Sequence, residues 1–324
     1  MPTLPRRSIS SWLIPAIKFA RCIATGLVAA FVLLCAASPV QAEKLSVTVV
    51  LSENSGPYLE FSNALRESLL KRNITPVVIE NPARPVANSG LVIGVGMKAA
   101  TAIAASNAHA VLNVLIPKSG HEKLLRDFPQ RVNSKTYSAI FLDQPIDRQA
   151  GLIAAALPTK HHVGVLYSTP PVELARLRRE MAEHKLSLHE QAVSPGLHLH
   201  AALQELLKKS EVLLALPDAE IYNSSTIRNI LLATYRSGIP LIGFSPGYVK
   251  AGALCALFST PAQFAAQADI LIGKFGETQT FPPAQYPQEF EVAVNEQVAR
   301  SLGLHIKSAA ELHDGVQAFE RNKP

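Results

Sequence analysis

The stretch QPIDRQAGLIAAALPTKHHVGVLYS, residues 144–168, closes one run of alternating helices and strands and opens a second. Its first part predicts a helix, and its second part, HHVGVLYS, has an apolar centre that predicts a buried strand. Strands that are apolar on both faces are typical of parallel sheets covered by helices. A pattern that restarts in mid-chain therefore indicates two successive β/α units.

Apolar segments that predict strands lie on both sides of this restart, at 45–52, 75–80, 91–96, 110–117, 137–143, 161–168, 211–218, 239–245 and 254–260. Amphipathic stretches that predict helices separate most of them. This order predicts an α/β fold with two Rossmann-like, doubly wound lobes and short right-handed crossovers. A TIM barrel is the alternative, but its strands would form one closed ring without a restart.

The first 42 residues have the pattern of a secretory signal peptide. Four basic residues and no acidic residue accompany a continuously apolar or small stretch at 22–37, and Val40-x-Ala42 resembles a cleavage site. The apolar stretch of about 16 residues is shorter than the roughly 20 that a membrane-spanning helix needs. We predict cleavage after Ala42 and a periplasmic mature protein.

Most of the net charge of +6 belongs to this leader, because the rest of the chain has 27 basic and 25 acidic residues. The chain has no block of like charge and no basic-aromatic array, so we expect no nucleic-acid partner. Two of the three cysteines also lie in the leader, which leaves Cys255. A single cysteine forms no internal disulfide, so the core must hold the mature protein together.

The segment GFSPG, residues 243–247, fits the Gly-x-Ser-x-Gly motif of serine hydrolases and lies between a predicted strand and a predicted helix. In that motif the residue after the serine donates its backbone N–H to the oxyanion hole. Here that residue is Pro246, which has no N–H. Loss of one such donor costs about 3–4 kcal/mol of transition-state stabilisation. The sequence therefore favours a turn facing a cleft over a nucleophile at Ser245.

Two other stretches resemble cofactor or metal motifs only in part. GVGMKAA, residues 94–100, resembles a dinucleotide fingerprint but lacks an acidic residue about 20 positions further on. His161-His162 and His198-x-His200 do not supply the three or four converging ligands of a metal site. We predict that the protein holds no cofactor and no metal.

The loops that follow the predicted strands are rich in Ser, Asn, Gly, Pro and Tyr. Open α/β sheets bind their ligands at these carboxyl ends of the strands. The loops are poor in the convergent acid–base pairs that catalysis requires, so they predict a recognition cleft. Asp218 follows a buried strand, where it can face a ligand or cap the next helix, and these two roles are compatible.

Three stretches resemble a known family: PLIGFSPGYVKAGAL (240–254), LPDAEIYNSS (216–225) and EFEVAVNEQVARSLGL (289–304). They are similar to segments of ABC-transporter substrate-binding proteins of the periplasmic-binding-protein-like I class, which include tryptophan- and tyrosine-type binders. The position of Ser245 is often acidic in the binders of aromatic amino acids. Serine there removes a natural partner for a ligand ammonium group.

The resemblance implies two lobes joined by three crossover segments and closing on a small solute. Lobe 1 would contain residues 43–144 and 260–280, and lobe 2 would contain residues 145–259 and 281–324. The expected ligand-binding residues on the lobe 1 wall are Asn54, Ser55, Tyr58 and Met97. Those on the opposite wall are Tyr167, Asp218, Tyr222, Ser245 and Tyr248.

The leading hypothesis is a monomeric periplasmic protein that captures a small-molecule solute and delivers it to an ABC permease in the inner membrane. Tyrosine rings would stack on an aromatic or apolar solute, and their hydroxyl groups would orient its polar ends. One alternative keeps the fold but makes the protein a ligand-sensing accessory for a membrane receptor. Another is an exported serine hydrolase acting through Ser245.

Overall fold

The computed structural model describes residues 45–84, 90–193 and 199–321. The predicted leader, its cleavage site and His198 lie outside these ranges. Residues Leu45–Pro324 group into one unit by their contacts. Within the described ranges, no helix combines the length and the apolar character that crossing a membrane requires.

The first sheet has five parallel strands in the order β2–β1–β3–β4–β5. The strands are β1 Val47–Leu51, β2 Val77–Ile79, β3 Leu91–Val95, β4 Ala110–Ile116 and β5 Tyr137–Phe141. The helices between them are α1 Gly56–Lys71, α2 Met97–Ala104 and α3 Lys118–Asp127, followed by a 3₁₀ turn at Pro129–Arg131. Every residue of β1, β3, β4 and β5 is buried, as expected for a sheet covered on both faces.

The second sheet has six strands in the order β11–β10–β9–β8–β6–β7, and β11 alone among them is antiparallel to its neighbour. These strands are β6 His162–Tyr167, β7 Ser187–Ala192, β8 Val212–Leu214, β9 Leu241–Gly243, β10 Cys255–Phe258 and β11 Glu291–Val294. The remaining helices are α4 Ile146–Ala156, α5 Leu174–Glu183, α6 Leu199–Leu207, α7 Ile227–Arg236, α8 Pro246–Ala251, α9 Pro261–Thr278, α10 Glu296–Ser301 and α11 Ala309–Arg321.

Both sheets repeat the same arrangement, in which the first strand lies between the second and the third. This order is typical of doubly wound folds, and it places a topological switch point beside the first strand of each sheet. The predicted α/β fold with two Rossmann-like units is therefore confirmed. The restart at residues 144–168 corresponds to α4 and β6, the first elements of the second unit.

The chain passes between the two sheets three times, after β5, after β10 and after α9. Helix α9 follows β10 of the second sheet but packs against α1 of the first, and α11 packs against α4 of the second. Beyond α9, residues 281–285 run along β5, where the backbone N–H of Gln285 donates to the Ala139 carbonyl at 2.9 Å. The lobe boundary expected at residue 280 falls in this connection, and the detailed lobe limits stay a prediction.

Candidate ligand-binding site

A cavity of about 650 Å³, including its open mouth, lies where the carboxyl ends of strands from both sheets meet. The first sheet contributes residues that follow β4 and β5, and the second contributes residues that follow β6 and β8. The lining residues are Lys118, Ser119, Glu122, Asp143, Gln144, Ile146, Gln149, Tyr167, Thr169, Pro171, Val172, Glu173, Leu177, Leu216, Pro217, Asp218 and Tyr286.

An ion pair connects the two sides of this cavity. Lys118 begins α3 beside the first sheet, and its Nζ lies 2.6 Å from Oε2 of Glu173, just before α5 of the second unit. The Tyr286 hydroxyl donates to the same carboxylate oxygen, and Arg176 lies 3.1 Å from Oε1. Burial alone would raise the pKa of Glu173, but the hydrogen bonds from Lys118 and Tyr286 outweigh it and hold the pKa below its usual value.

The Lys118 ammonium also lies over two aromatic rings. Its Nζ is 5.2 Å from the ring centroid of Tyr286 and 5.7 Å from that of Phe141. These two rings meet edge to face with centroids 5.4 Å apart, so they form a rigid support on the side of the first sheet. The combination of ring faces and the Glu173 carboxylate fixes the position of the Lys118 charge.

Asp143 follows β5 and accepts the backbone N–H of Lys118 at 2.7 Å through Oδ2. Withdrawal from solvent raises the pKa of this carboxyl group to about 6, and the hydrogen bond from Lys118 lowers it only in part. Burial is also the main cause that raises the pKa of Glu122, one turn into α3. Both carboxyl groups therefore hold their negative charge at a cost.

Asp218 joins two loops of the second unit. Its Oδ2 accepts the backbone N–H and the hydroxyl of Ser168, each at 2.7 Å, and its Oδ1 accepts the N–H of Glu220 at 3.0 Å. Because α7 begins at Ile227, with Thr226 at the N-cap position, Asp218 braces the loops after β6 and β8 and does not cap that helix. It also lines the cavity, as does Tyr167.

Tyr222 and Tyr248 lie in an apolar cluster of the second unit and do not line this cavity. The Tyr222 ring is 5% exposed, and its hydroxyl has no hydrogen-bond partner within the described residues. The Phe244 ring contacts both tyrosine rings, with centroids 6.3 Å from Tyr222 and 4.6 Å from Tyr248, and the Tyr248 hydroxyl donates to the Tyr222 carbonyl at 3.5 Å. Burial raises the pKa of both hydroxyl groups, which therefore stay protonated.

Ser245 is at the N-cap position of α8, also outside the cavity lining. Its backbone is extended, with φ −155° and ψ 157°, as expected for a residue that precedes proline. The nucleophile of a hydrolase elbow occupies a sharp, strained turn instead. GFSPG is thus an ordinary strand-to-helix turn beyond β9, and β9 is separated from β6 by β8.

The expected residues of the first wall lie at the carboxyl ends of β1 and β3 and do not line the cavity, although Met97 packs beside Gly120 of α3. Asn54 and Ser55 are exposed at the start of α1, and Tyr58 and Met97 are half-buried. Gly96 has φ +84°, and a Cβ there would lie 2.7 Å from a Tyr58 ring carbon, so glycine permits this close approach. The ligand-binding roles of all nine expected residues stay predictions.

Several lining residues were not among those expected from the sequence: Lys118, Glu122, Asp143, Gln144, Gln149, Glu173 and Tyr286. Asp143 carries the same signal as Asp218, an acidic residue directly after a buried strand, and could have been found by it. Glu173 and Tyr286 carry no such signal. Their roles come from long-range packing that brings α5 and the Pro-rich connection to Lys118.

Over residues 134–312, more than half of its length, the chain matches the model of a family described as ABC transporter substrate binding protein. The chain belongs to this family. The cavity between two doubly wound units is therefore a feature of an ABC transporter substrate-binding protein. No curated protein sequence matches this substrate-binding protein.

Solved structures share the fold of this substrate-binding protein. A conserved domain protein from Vibrio cholerae aligns with a TM-score of 0.61 and 19% identity over 84% of this chain and 98% of its own. An ABC domain in complex with L-Trp from Streptococcus pneumonia aligns with a TM-score of 0.60 and 16% identity, over 81% of this chain and 96% of its own. A ligand-free, open substrate-binding protein with adhesive properties from Clostridium difficile aligns with a TM-score of 0.60 and 15% identity, over 82% of this chain and 96% of its own.

Proposed function

We propose that this protein captures a small solute in the cavity between its two units and delivers it to an ABC permease, acting as a monomer in the periplasm. The observation that carries the proposal is the cavity itself, which is lined by the carboxyl ends of strands from both sheets. The Streptococcus pneumonia structure, which holds L-Trp, supports a small organic solute as the ligand class.

Closure around the solute would bend the segments that cross between the sheets, as in other hinge-closing binding proteins. A polar cluster joins these crossings. Gln144 Nε2 donates to Ser259 Oγ at 2.9 Å, and Ser259 Oγ donates to the Glu289 carbonyl at 2.5 Å. Gln144 also lines the cavity, so a bound solute touches a residue that belongs to the hinge.

Binding is tested first by thermal unfolding in the presence of a library of small metabolites. A solute that binds only the folded state raises the melting temperature. At a solute concentration of a hundred times the dissociation constant, it adds about 2.7 kcal/mol to the free energy of unfolding. We expect at least one member of the library to do so. If none shifts the melting temperature, the proposed function loses its main support.

The location of binding is tested with Thr169→Trp, which places an indole ring in the cavity from an exposed lining residue. We expect this variant to fold and to lose the ligand-induced shift, because the ring fills the space that the solute needs. Ser224→Trp, at an exposed loop residue outside the cavity lining, is the matched control and should keep the shift. Undiminished binding by Thr169→Trp would place the solute elsewhere.

We infer further that the protein binds its solute without transforming it. Pro246 offers no oxyanion donor, and the extended backbone of Ser245 lacks the strain of a nucleophile elbow. A fluorophosphonate probe is therefore expected to leave the purified protein unlabelled. Labelling that disappears in Ser245→Ala would contradict this inference and favour a hydrolase.

A further inference from the structure

The cavity is lined by more negative than positive side chains. Glu122, Asp143, Glu173 and Asp218 contribute carboxyl groups, while Lys118 is the one basic side chain that the described residues contribute to the lining. A cavity of one dominant sign favours solutes of the opposite charge. Some of these charges are already compensated within the protein.

Two of the four carboxyl groups have their own partners. Glu173 pairs with Lys118 and Arg176 and accepts a hydrogen bond from Tyr286, and these contacts stabilise its charged form. Asp218 receives three donors from Ser168 and Glu220. The same contacts occupy Lys118, whose ammonium is held between the Glu173 carboxylate and the two ring faces.

The other two carboxyl groups form no direct ion pair with a described residue, although the Lys118 charge acts on both from a distance and lowers the pKa of each in part. Asp143 accepts the backbone N–H of Lys118, but no ion pair involves Asp143 or Glu122 within the described residues. Burial raises the pKa of each. A carboxylate that is withdrawn from water and not directly paired is costly to the free protein, and a cation brought by a ligand would offset that cost.

The remainder of the lining is largely apolar. Ile146, Leu177 and Leu216 contribute aliphatic side chains, and Tyr167 contributes an aromatic ring. Such walls bury the body of a small solute, while a few polar groups fix its orientation. The cavity therefore combines an apolar enclosure with a local excess of negative charge.

We propose that the solute is an organic cation with a compact apolar body, and that Asp143 and Glu122 hold its charged group. This inference rests on the proposed function, because it names the ligand class of the same cavity. A solute carboxylate would face these two carboxyl groups, and it would have to take Lys118 away from Glu173. Like charges brought together in this way disfavour anions and zwitterions.

The test uses matched triplets of probes with the same body. One member carries an ammonium group, one carries an ammonium and a carboxylate, and one carries a carboxylate alone. Phenethylamine, phenylalanine and 3-phenylpropionate form one triplet, and indole and short alkyl bodies give two more. We expect the ammonium members to give the largest thermal shifts and the tightest binding in calorimetry.

Every outcome of this panel bears on the inference. A larger shift with zwitterions, anions or neutral metabolites would overturn the cation proposal and leave the proposed function standing. If neither the triplets nor the wider metabolite library shifts the melting temperature, the proposed function fails and the inference fails with it. The two failures are therefore distinguishable.

Variants then test the two carboxyl groups. Asp143→Asn and Glu122→Gln remove a charge while each keeps an oxygen acceptor and the side-chain size, so both are expected to fold. Cation affinity should fall about tenfold or more in each, as when one partner of a buried charge pair is removed. Glu67→Gln, at an exposed acidic residue on α1, is the control and should bind normally. Unchanged cation affinity in the double variant Asp143→Asn/Glu122→Gln would overturn the assignment of these two carboxyl groups to the charged group of the solute.

Discussion

At the residue scale, Asp143 shows how a position after a strand becomes chemically unusual. The carboxyl end of β5 places it in the cavity, where the backbone N–H of Lys118 is its donor and where it forms no direct ion pair with any residue that the structure describes. Removal from water then raises its pKa to about 6. The folded state therefore holds this proton more tightly than the unfolded chain does.

The pH dependence of stability follows from this shift. Well below pH 3.8, the ordinary pKa of the group, it is protonated in both states, so it does not affect stability. As the pH rises from 3.8 to about 6, the unfolded chain ionises first, and the folded state loses stability. Above pH 6 the loss of stability reaches its full value. The difference between the ordinary pKa of 3.8 and the folded-state pKa of about 6 corresponds to about 3 kcal/mol.

We therefore expect Asp143→Asn to increase the free energy of unfolding of the ligand-free protein by about 2–3 kcal/mol at pH 7–8. The gain should vanish well below pH 3.8, where the wild-type group is neutral in both states. Urea unfolding of the wild type and the variant at a series of pH values measures the gain at pH 7–8 and its disappearance at low pH. Equal stability of the two proteins at pH 8 would show that the folded state carries the Asp143 charge without cost.

At the element scale, Arg148 on α4 joins elements that are distant in sequence. Its guanidinium donates to Gln144 Oε1 at 2.8 Å and to the carbonyls of Pro287 and Gln288 at 3.2 and 3.1 Å. It also pairs with Glu320 of α11 at 2.6 Å. One buried side chain thus holds the first crossing, the third crossing and the C-terminal helix together.

Arg148→Met is expected to lower the free energy of unfolding by about 3–5 kcal/mol, because it leaves Glu320 and two carbonyls without their donor in a mostly buried place. Arg300→Met is the matched control. Arg300 forms an exposed pair with Glu296 on α10, so its loss should change stability by less than about 1 kcal/mol. Denaturant titration of both variants measures the difference, and a similar small loss in both would contradict the role of Arg148.

At the scale of the whole molecule, Glu173 connects the two units at the mouth of the cavity. Lys118 and Tyr286 both reach it from the side of the first sheet, and Gln285, next to Tyr286, hydrogen-bonds to β5. Hydrogen bonds to charged groups contribute about 1.5–3 kcal/mol each. This bridge therefore favours the arrangement in which the two units approach each other.

We expect the double variant Lys118→Met/Tyr286→Phe to shift the ligand-free protein toward a more open arrangement. Removal of a few kcal/mol changes a two-state population by tenfold or more. Small-angle scattering should show a larger radius of gyration than in the wild type. Lys123→Met, which removes the exposed Lys123–Asp127 pair on the same helix, should leave the radius unchanged. An unchanged radius in the double variant would show that other contacts hold the units together.

The amino-acid sequence alone was sufficient to predict the two β/α units, their doubly wound character and the strand–turn–helix setting of GFSPG, with an extended backbone at Ser245. These features depend on local signals: apolar runs of strand length, the restart at residues 144–168, and a proline that has no N–H and restricts Ser245. Local sequence patterns determine such features because they act over a few neighbouring residues.

Which loops meet at the cavity was decided only by the tertiary structure. Strand order puts β6 beside β8 and moves β9 outward, so Tyr167 and Asp218 line the cavity while Ser245 and Tyr248 do not. Packing across the crossings brings Glu173 to Lys118, far away in sequence. Strand order and crossing geometry arise from long-range burial of apolar faces, which periodicity along the chain does not specify.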